Sequence, residues 1–421
     1  MAVALIDCDN FFASCERIMQ PRLQNVPVAV LSNNDGCVIA RTNEVKAAGV
    51  KMGQPYHECE KILQTIGAEV VSANFMLYRN CAKRLQSVLK QVPNEAIEVY
   101  SIDESFLFFD DSKVADVTQW ASDLRQLILD WTGVIVTIGV AESRALAKVA
   151  VHISKHSATH VADMRDMTSP ANKAILQALP IHEVWGVGRR LAPKLQVAGI
   201  RTAWDLAELT PQSPALRLLN ITGRQLINEL KGWGSQQEQA DAPQKSMAFT
   251  RSFGQAITSL DDARSALGSF TDSIGAKLRR QGLVAGHVSV FMRYRDEGAE
   301  RYGRAVSAER TVAPTADTFA LELVVQALVG EVFVAGKRYK KAGVIVSQLS
   351  PDDQYQISLT ADTDVLEKRD SLMRAIDMVA EKTTVSVHPA VTYLGDQKWR
   401  GKRQKLSPYD HASWHTIPVV Y

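Results

Sequence analysis

The stretch "EVYSIDESFLFF", residues 98–109, places two carboxylates side by side in a run that otherwise has the composition of a sheet core. Successive residues of a strand point to opposite faces, so one of Asp103 and Glu104 would be buried if the strand were continuous. The run therefore predicts two strands joined by a turn. Both acids then stand at the turn, where they can face one side.

The elements around this hairpin follow the order strand, helix, paired strands, helix, strand, which is typical of a ferredoxin-like sheet. The first strand, from Val3 to Ile6, runs directly into Asp7. Strand ends in such a sheet lie close together, so the pattern predicts that Asp7, Asp103 and Glu104 converge on one rim. The residues alone leave a second interpretation open, in which the pair are turn residues and Asp7 is a helix cap.

Three convergent carboxylates repel one another unless a cation lies among them. Mg²⁺ is the natural choice, because it takes one or two carboxylates and completes its shell with phosphates and water. Two such ions could stabilise the attacking and the leaving oxygen of an in-line phosphoryl transfer. No His or Cys near these acids has the spacing of a zinc site.

A hairpin unit at 26–72 interrupts the sheet pattern. In it, "PVAVLS", "NNDG" and "CVIART" predict two strands around a tight turn. Arg41, Asn43 and Lys46 follow at the start of a predicted helix, and Lys155 ends another, so these residues could hold a triphosphate. Each basic residue taken alone is better explained as a solvated surface charge.

The second half of the chain predicts two further regions and a tail. The Gly-x-Gly turn in "VWGVGRRLAPKL", residues 184–195, resembles half of a helix-hairpin-helix, although a plain helix connection fits it too. Residues 236–246 have the polar composition of a linker. Residues 247–350 then repeat the βαββαβ order, and 351–421 form a polar tail.

Composition places the chain among ordinary globular proteins, with 421 residues, 46% hydrophobic residues and a net charge of +2. The charge is uneven, because residues 242–350 hold 15 basic and 10 acidic residues, a local +5, and "KWRGKRQK" (398–405) is strongly basic. The five cysteines show no disulfide or zinc spacing, and we expect reduced thiols in the cytoplasm. We also expect no signal peptide and no membrane span.

Five motifs carry a family resemblance, and they occur in the order found in Y-family DNA polymerases. They are "IDCDNFFASCE" (6–16), "NNDGCVIARTNEVKAAGVKMGQP" (33–55), "YSIDESF" (100–106), "TIGVAESRALAKVA" (137–150) and "VWGVGRRLAPKL" (184–195). The "NNDGCVIAR" stretch and the ending "KRQKLSPYDHASWHTIPVV" (402–420) resemble the UmuC-type branch. The resemblance covers nearly the whole chain.

The resemblance implies an α+β multidomain fold with right-hand polymerase architecture. It divides the chain into a ferredoxin-like palm, small fingers, a helical thumb, a linker, a βαββαβ little finger and a C-terminal tail for partner contacts. The predicted bounds are residues 1–25 and 73–165 for the palm, 26–72 for the fingers, 166–235 for the thumb, 236–246 for the linker, 247–350 for the little finger and 351–421 for the tail.

The resemblance also implies roles at the rim. Asp7, Asp103 and Glu104 match the triad that binds two Mg²⁺ ions, and Cys8 matches a ligand that uses its main-chain carbonyl. The residues offer Asp9 or Asn10 as the cap of the helix that begins at Phe11. Asp9 is not a ligand in the family pattern, so the resemblance favours Asp9 for this role.

Nucleotide and DNA contacts follow by position. Phe12, with Phe11 beside it, matches the steric gate that blocks a ribose 2′-OH, and Asn43 stands where many relatives have Tyr. The expected triphosphate contacts are Arg41, Lys46 and Lys155. The expected DNA contacts are Gly186, Gly188, Arg251, Arg279, Arg293 and Arg295.

The implied activity is error-prone translesion synthesis in the SOS DNA damage response, with primer-template DNA and a dNTP as substrates. Implied partners are a UmuD′-like dimer, a RecA filament and a sliding clamp, the last through a weak motif at Gln356, Ile357 and Leu359. A bacterial, nucleoid-associated location in the cytoplasm is expected. Two alternatives stay open: a non-catalytic paralogue that binds DNA or recruits partners, and a stand-alone polymerase of the DinB type.

Overall fold

The protein is described by a computed structural model, which covers residues 1–155, 157–234, 244–294, 303–354, 363–383, 387–401 and 403–407. The chain divides into two compact units. Unit 1 comprises residues 1–240 and 404–421, and unit 2 comprises residues 241–403.

A five-stranded sheet forms the centre of unit 1. Its strands are β1 (Ala2–Cys8), β5 (Ala96–Val99), β6 (Glu104–Phe109), β7 (Val136–Ala141) and β8 (Val161–Asp163). They are ordered β5-β6-β1-β7-β8, with β1 antiparallel to both of its neighbours. The first four strands of this order have the ferredoxin-like arrangement, so that prediction is confirmed.

Helices cover both faces of this sheet, because its strands are apolar on both sides. One face packs on α1 (Phe11–Met19), α4 (Phe75–Leu89) and α5 (Val117–Thr132). The other packs on α6 (Arg144–Ser154), and beyond it lie α7 (Pro170–Ala178), α8 (Ala192–Val197), α9 (Ala203–Ala207) and α10 (Ile221–Leu230). None of the helices that the structure describes has an apolar stretch long enough to cross a membrane.

The inserted hairpin unit forms a sheet of its own. Its strands are β2 (Val28–Leu31), β3 (Val38–Arg41) and β4 (Glu69–Ser72), in the order β3-β2-β4. The antiparallel β2–β3 pair is the predicted hairpin, and β4 adds to β2 in parallel. Two helices, α2 (Asn43–Ala47) and α3 (Tyr56–Thr65), complete this unit.

Unit 2 has the predicted βαββαβ order. Its elements are β9 (Ser246–Ile257), α11 (Leu260–Arg280), β10 (Leu283–Tyr294), β11 (Ala305–Thr315), α12 (Thr318–Val332) and β12 (Tyr339–Pro351), followed by α13 (Thr363–Lys382). The four strands are antiparallel in the order β11-β10-β12-β9. The helices α11 and α12 bury one face of this sheet.

The described part of 351–421 differs from the separate tail that the sequence predicts. Trp399 is 5% exposed and lies in the core of unit 2, where its ring meets Phe270 edge-on at 6.0 Å. Residues 404–407 belong instead to unit 1. Isolated anchoring residues such as Trp399 produce no periodic pattern, so a search for periodicity does not detect them.

Candidate active site

The two strands that carry the acids are paired in register. Asp7, near the end of β1, lies directly opposite Glu104, the first residue of β6. Directly opposed residues of an antiparallel pair point to the same face. The Asp103 carbonyl accepts a hydrogen bond from the Cys8 amide at 2.9 Å, so the turn is joined to the same strand end. The predicted convergence at one rim is confirmed at the level of the backbone.

Lys148 of α6 and Lys155, which directly follows α6, neutralise two of these carboxylates. The Lys155 Nζ lies 2.9 Å from Asp7 Oδ2, and the Lys148 Nζ lies 2.6 Å from Glu104 Oε1. Both acids are mostly buried, with side chains 11% and 17% exposed. The sequence reasoning missed Lys148, although a spacing of seven residues places it on the same helix face as Lys155.

The electrostatics of Asp7 reflect this crowding. Burial raises the pKa of Asp7 to about 6, the ammonium of Lys155 acts against it, and the charges of Glu104 and Asp103 add to the rise. Burial by itself lowers the pKa of Lys155, but the charge of Asp7 and its hydrogen bond raise it overall. The rim therefore favours a cation beside Asp7.

Asp103 is held by its own turn. The hydroxyl of Ser101 donates to Asp103 Oδ1, and that oxygen of Ser101 accepts from the Asp103 and Glu104 amides at 3.2 Å each. Among the described residues, no three acidic, His or Cys side chains form a ready-made metal site. The carboxylates share a rim, but their side chains are directed to lysines and to Ser101.

The Cys8 thiol is excluded from this rim. Its side chain is 3% exposed and lies in the core on the opposite face of the sheet. Burial raises the pKa of the thiol well above its ordinary value, and the negative charges of Asp103 and Asp7 raise it further. A thiolate ligand is thereby disfavoured, and only the main chain of Cys8 is suited to bind a metal.

The predicted capping role of Asp9 is wrong. The N-cap of α1 is Asn10, in the left-handed region with φ 52°, and no side chain caps the helix. The Asp9 carboxylate instead accepts a hydrogen bond from Thr137 Oγ1 at 2.9 Å and lies 3.6 Å from His160 Nδ1. The left-handed turn at Asn10 separates Asp9 from the helix end that it was expected to cap.

The basic residues of the hairpin unit lie beside the carboxylates. Lys46 has a lowered pKa, first through burial and then through the charges of Arg41 and Lys155, while Asp9 and Asp7 oppose the shift. Burial also lowers the pKa of Arg41, and its buried Nε has no hydrogen-bond partner in the described part of the chain. Mutually repelling cations with an unpaired donor form a site suited to an anion.

An aromatic cluster lies at the start of α1. The Phe12 ring stacks on Tyr78 with centroids 4.5 Å apart and an interplanar angle of 13°, and Phe75 meets it edge-on at 5.8 Å. Phe12 is half-buried, whereas Phe11 is 3% exposed and belongs to the core. The two rings point apart because adjacent helical residues differ by about 100° in direction. The Phe11 side chain therefore belongs to the core, and its predicted nucleotide contact stays a prediction.

Asn43 has a partner from the neighbouring element. Its Oδ1 accepts a hydrogen bond from Asn10 Nδ2 at 3.1 Å. This bond joins the start of α2 to the turn that precedes α1. The side chain is exposed, so its predicted nucleotide contact stays a prediction.

The Gly-x-Gly turn is exposed and precedes α8. Gly186 has φ 87°, which only glycine adopts without strain, and the Gly188 carbonyl accepts from the Ala192 amide at 3.0 Å. Within the described ranges, neither glycine amide donates to a protein group. Two free amides in a turn can bind a phosphate.

The predicted DNA contacts of unit 2 are divided between the two faces of its sheet, and Arg293 lies on the face opposite the helices. Arg293 on β10 is exposed, and Lys341 on β12 lies directly across from it. Arg251 is also exposed but belongs to the helix side of β9, over the ring of Phe249 at 5.0 Å. Like charges in a direct cross-strand pair are destabilising unless an anion lies over them.

Arg279 is a structural residue. Its guanidinium makes two hydrogen bonds to Asp377 of α13, at 2.7 and 2.8 Å, and two more to Thr318 Oγ1 and the Ala316 carbonyl, each at 2.9 Å. Four of its five N–H donors are paired in this way and the side chain is 13% exposed, so the structure uses most of the guanidinium internally, and the predicted DNA contact stays a prediction. Arg295 and the clamp residues Gln356, Ile357 and Leu359 lie outside the described residues.

Comparison with known proteins adds sequence and structural relatives. The impB/mucB/samB family matches residues 6–152, and the C-terminal domain of that family matches 244–359. Protein ImpB of Salmonella typhimurium is 31% identical over 99% of both chains, and Protein UmuC of Salmonella typhimurium strain LT2 is 31% identical over 96% of both. A solved Y-family DNA polymerase chimera, Dbh-Dpo4(243-245)-Dbh, shares the fold with a TM-score of 0.67 and 20% identity, covering 83% of this chain and 99% of its own.

Proposed function

The chain belongs to the impB/mucB/samB family of Y-family DNA polymerases, and from this premise we propose how its residues carry out error-prone synthesis past template damage. It is a UmuC-like translesion DNA polymerase of the DNA damage response. Asp7, Asp103 and Glu104 are the proposed catalytic residues. The observation that carries this proposal is the register that sets Asp7 opposite Glu104 with a lysine on each.

Y-family polymerases use divalent metal ions, and the rim fits two Mg²⁺ ions through its donor set. Three carboxylates and the main chain of Cys8 are hard oxygen donors. Lys155 and Lys148 balance Asp7 and Glu104 in the structure, so both lysines must release these acids when the metals bind. Asp7, Asp103, Glu104 and the main chain of Cys8 would hold the ions, which would supply the positive charge that activates the primer 3′-OH and stabilises the departing pyrophosphate.

Lys155 has a second proposed role once it is released. The charges of Lys155 and Arg41 both act on Lys46, so the Lys155 ammonium can turn from Asp7 to a triphosphate oxygen bound there. Arg41 offers its unpaired Nε to the same anion. These cations orient the α-phosphate for in-line attack and neutralise charge on the leaving group.

Sugar selection is assigned to Phe12. Its ring is fixed on one side by Tyr78 and Phe75, and it is half-buried at the entrance of α1. An aromatic ring in a fixed position excludes a 2′-OH through contact and without a hydrogen bond. Asn43, near the same turn, is the proposed secondary nucleotide contact.

DNA is held through its backbone. Arg293, Lys341 and Arg251 in unit 2, and the free amides of Gly186 and Gly188 in unit 1, suit phosphate contacts that carry no sequence information. We assign the palm to 1–25 and 73–165, the fingers to 26–72, the thumb to 166–235 and the little finger to 247–350. Small fingers enclose the nascent base pair loosely, which accounts for error-prone bypass.

The proposed partners rest on the UmuC-like relationship alone. A UmuD′-like dimer and a RecA filament would support synthesis, and a sliding clamp would tether the chain near Gln356. Bacterial cytoplasm with nucleoid association is the corresponding proposed location. Extension assays with and without these partners distinguish this arrangement from a stand-alone polymerase of the DinB type.

Primer extension across an abasic site with Mg²⁺ tests the catalytic assignment. We expect Asp103→Ala to lower the extension rate by about a thousandfold or more, since a metal ligand contributes several kcal/mol to the transition state. Asp110→Ala is the matched control, because Asp110 lies outside the rim and pairs with Lys113 at 3.1 Å. Activity that survives Asp103→Ala would refute the assignment, and inactivity of the unaltered chain with all partners would favour a non-catalytic paralogue.

A further inference from the structure

The chain returns from unit 2 to unit 1 through a short segment, residues 404–407, which we name the strap. The strap adds to the free edge of β4. The Ser72 amide donates to the Lys405 carbonyl at 2.9 Å, the Lys405 amide donates to Ser72 Oγ at 3.0 Å, and Leu406 forms a parallel bridge with Ser72. The backbone of the strap is therefore fixed next to the start of α4.

The last residue of the strap reaches into the interior between α1 and α4. Ser407 is 6% exposed, and its hydroxyl donates to Glu16 Oε1 at 3.2 Å. The same oxygen of Ser407 accepts from Asn74 Nδ2 at 3.3 Å, and Asn74 Oδ1 caps α4 by accepting from the Leu77 amide. Ser407 thus holds α1 and the first turn of α4 at once.

Glu16 connects the strap to the aromatic cluster. This carboxylate is fully buried, and its Oε1 accepts from Tyr78 OH at 2.8 Å as well as from Ser407. Gln20 Nε2 donates to its other oxygen at 3.3 Å. Burial raises the pKa of Glu16, while the three hydrogen bonds oppose the shift. The donors to Glu16 in the described part of the chain are all neutral, so this buried carboxylate depends on each of them.

Tyr78 is the surface on which Phe12 rests. Its ring is fully buried and lies parallel to Phe12 at 4.5 Å, and its hydroxyl is fixed by Glu16. A shift of the Tyr78 ring would carry Phe12 with it. Exclusion of a ribose 2′-OH by the Phe12 ring is sensitive to such shifts, because a change of about 1 Å strongly alters the space between the ring and the sugar.

We propose that the strap, through Ser407 and Glu16, positions Tyr78 and thereby sets the gap that Phe12 leaves for the sugar. Ser407 is then a positioning residue for discrimination between deoxyribonucleotides and ribonucleotides, contributed from the far end of the chain. The inference rests on the proposed role of Phe12 as the steric gate.

The test is the ratio of kcat/KM for a dNTP to that for the matching rNTP, measured by single-nucleotide primer extension with the full chain. We expect Ser407→Ala to lower this ratio about three- to tenfold, and Ser407→Thr, which keeps the hydroxyl, to preserve it. Ser87→Ala is the matched control on α4, because its hydroxyl is exposed and bonds only to the Lys83 carbonyl at 2.9 Å.

A second variant tests the same link from its other end. Tyr78→Phe keeps the ring and removes only the hydroxyl that Glu16 holds, so we expect a similar fall in the ratio. If Ser407 acts through Tyr78, the double variant shows no more than the larger single effect. Independent effects that multiply in the double variant would contradict the proposal. If Ser407→Ala folds poorly, Tyr78→Phe still tests the proposal, since it leaves the strap intact.

Phe12→Ala distinguishes the role of the strap from the role of Phe12 as the steric gate. A ratio that falls in Phe12→Ala and stays within about twofold of the original in Ser407→Ala and Tyr78→Phe overturns the role of the strap and leaves the gate in place. A ratio unchanged in Phe12→Ala overturns the gate itself, and the positioning role with it.

Discussion

Buried carboxylates in this chain are stabilised in two different ways. Asp7 is paired with the ammonium of Lys155, whereas Glu16 and Glu322 are held by hydrogen-bond donors that carry no charge. The first arrangement suits a site that exchanges one cation for another. The second lacks a neutralising charge. In both arrangements burial raises the pKa of the carboxyl group, so stability depends on pH.

Glu322 on α12 gives a prediction for the pH dependence of stability. It is 7% exposed, its Oε2 and the facing Gln326 Oε1 have no partner among the described residues, and Asp272, paired with His388 at 2.7 Å, lies nearby. Burial raises its pKa to about 7, with the hydrogen bond from Gln326 opposing the rise and the charge of Asp272 adding to it. The folded state therefore binds a proton more tightly than the unfolded state, so stability falls as pH rises from about 4.5 through 7.

Glu322→Gln removes this penalty, and its new amide can donate to Gln326 Oε1. We expect about 1–3 kcal/mol of added stability at pH 7.5 and little change at pH 4.5, measured by urea unfolding at both pH values. Glu381→Gln, at an exposed position of α13, is the control and should act alike at both pH values. A gain that does not grow with pH would show that Glu322 is already ionised in the folded protein.

At the scale of elements, the site depends on how closely α6 approaches the sheet. A Cβ at Gly139 of β7 would lie 2.5 Å from the Val151 amide nitrogen and 2.6 Å from the Ala147 carbonyl oxygen. Glycine in β7 thus lets α6 pack on the sheet at backbone contact. This approach sets Lys148 and Lys155 against Glu104 and Asp7.

Gly139→Ala should force α6 away from β7. We expect a loss of about 3 kcal/mol or more in the free energy of unfolding, because backbone atoms cannot yield as a flexible side chain can. Extension activity should fall with it as the two lysines move. Gly188→Ala is the control for stability, since nothing lies within 4 Å of its added Cβ. Unchanged thermal stability in Gly139→Ala would contradict the close packing.

At the scale of the whole molecule, charge is concentrated although the total is only +2. Arg293 and Lys341 repel each other across two strands of unit 2, and DNA phosphates would relieve that repulsion. A polymerase that must move along any template gains from contacts of this kind, because they carry no sequence information.

Arg293→Ala should therefore weaken binding of a labelled primer-template equally for unrelated sequences. The slope of log affinity against log salt should fall in magnitude by about 1, which fluorescence anisotropy at several salt concentrations measures. Arg310→Ala is the matched control, because Arg310 points to the helix side of the sheet and pairs with Glu331 at 2.5 Å. An equal change of slope in both variants would exclude a specific contact at Arg293.

The sequence by itself determined the elements and the position of the acids. Local patterns sufficed for this: an apolar run interrupted by two adjacent acids must turn, and the order of strands and helices then gives the sheet. The family resemblance added the chemistry. Arg279 shows the limit of this reasoning, since a basic residue has the same sequence signature whether it contacts DNA or pairs with Asp377.

Only the tertiary structure decided which groups neutralise the acids and what supports Phe12. Lys148 meets Glu104 across 44 residues, and Ser407 meets Glu16 across 391. Such contacts leave no local pattern, because each partner is an ordinary polar residue until the fold brings the two together and burial removes water from them. The meeting of the strand ends at one rim can be predicted from the residues, but the register of the strands and the pairing of buried charges depend on the whole fold.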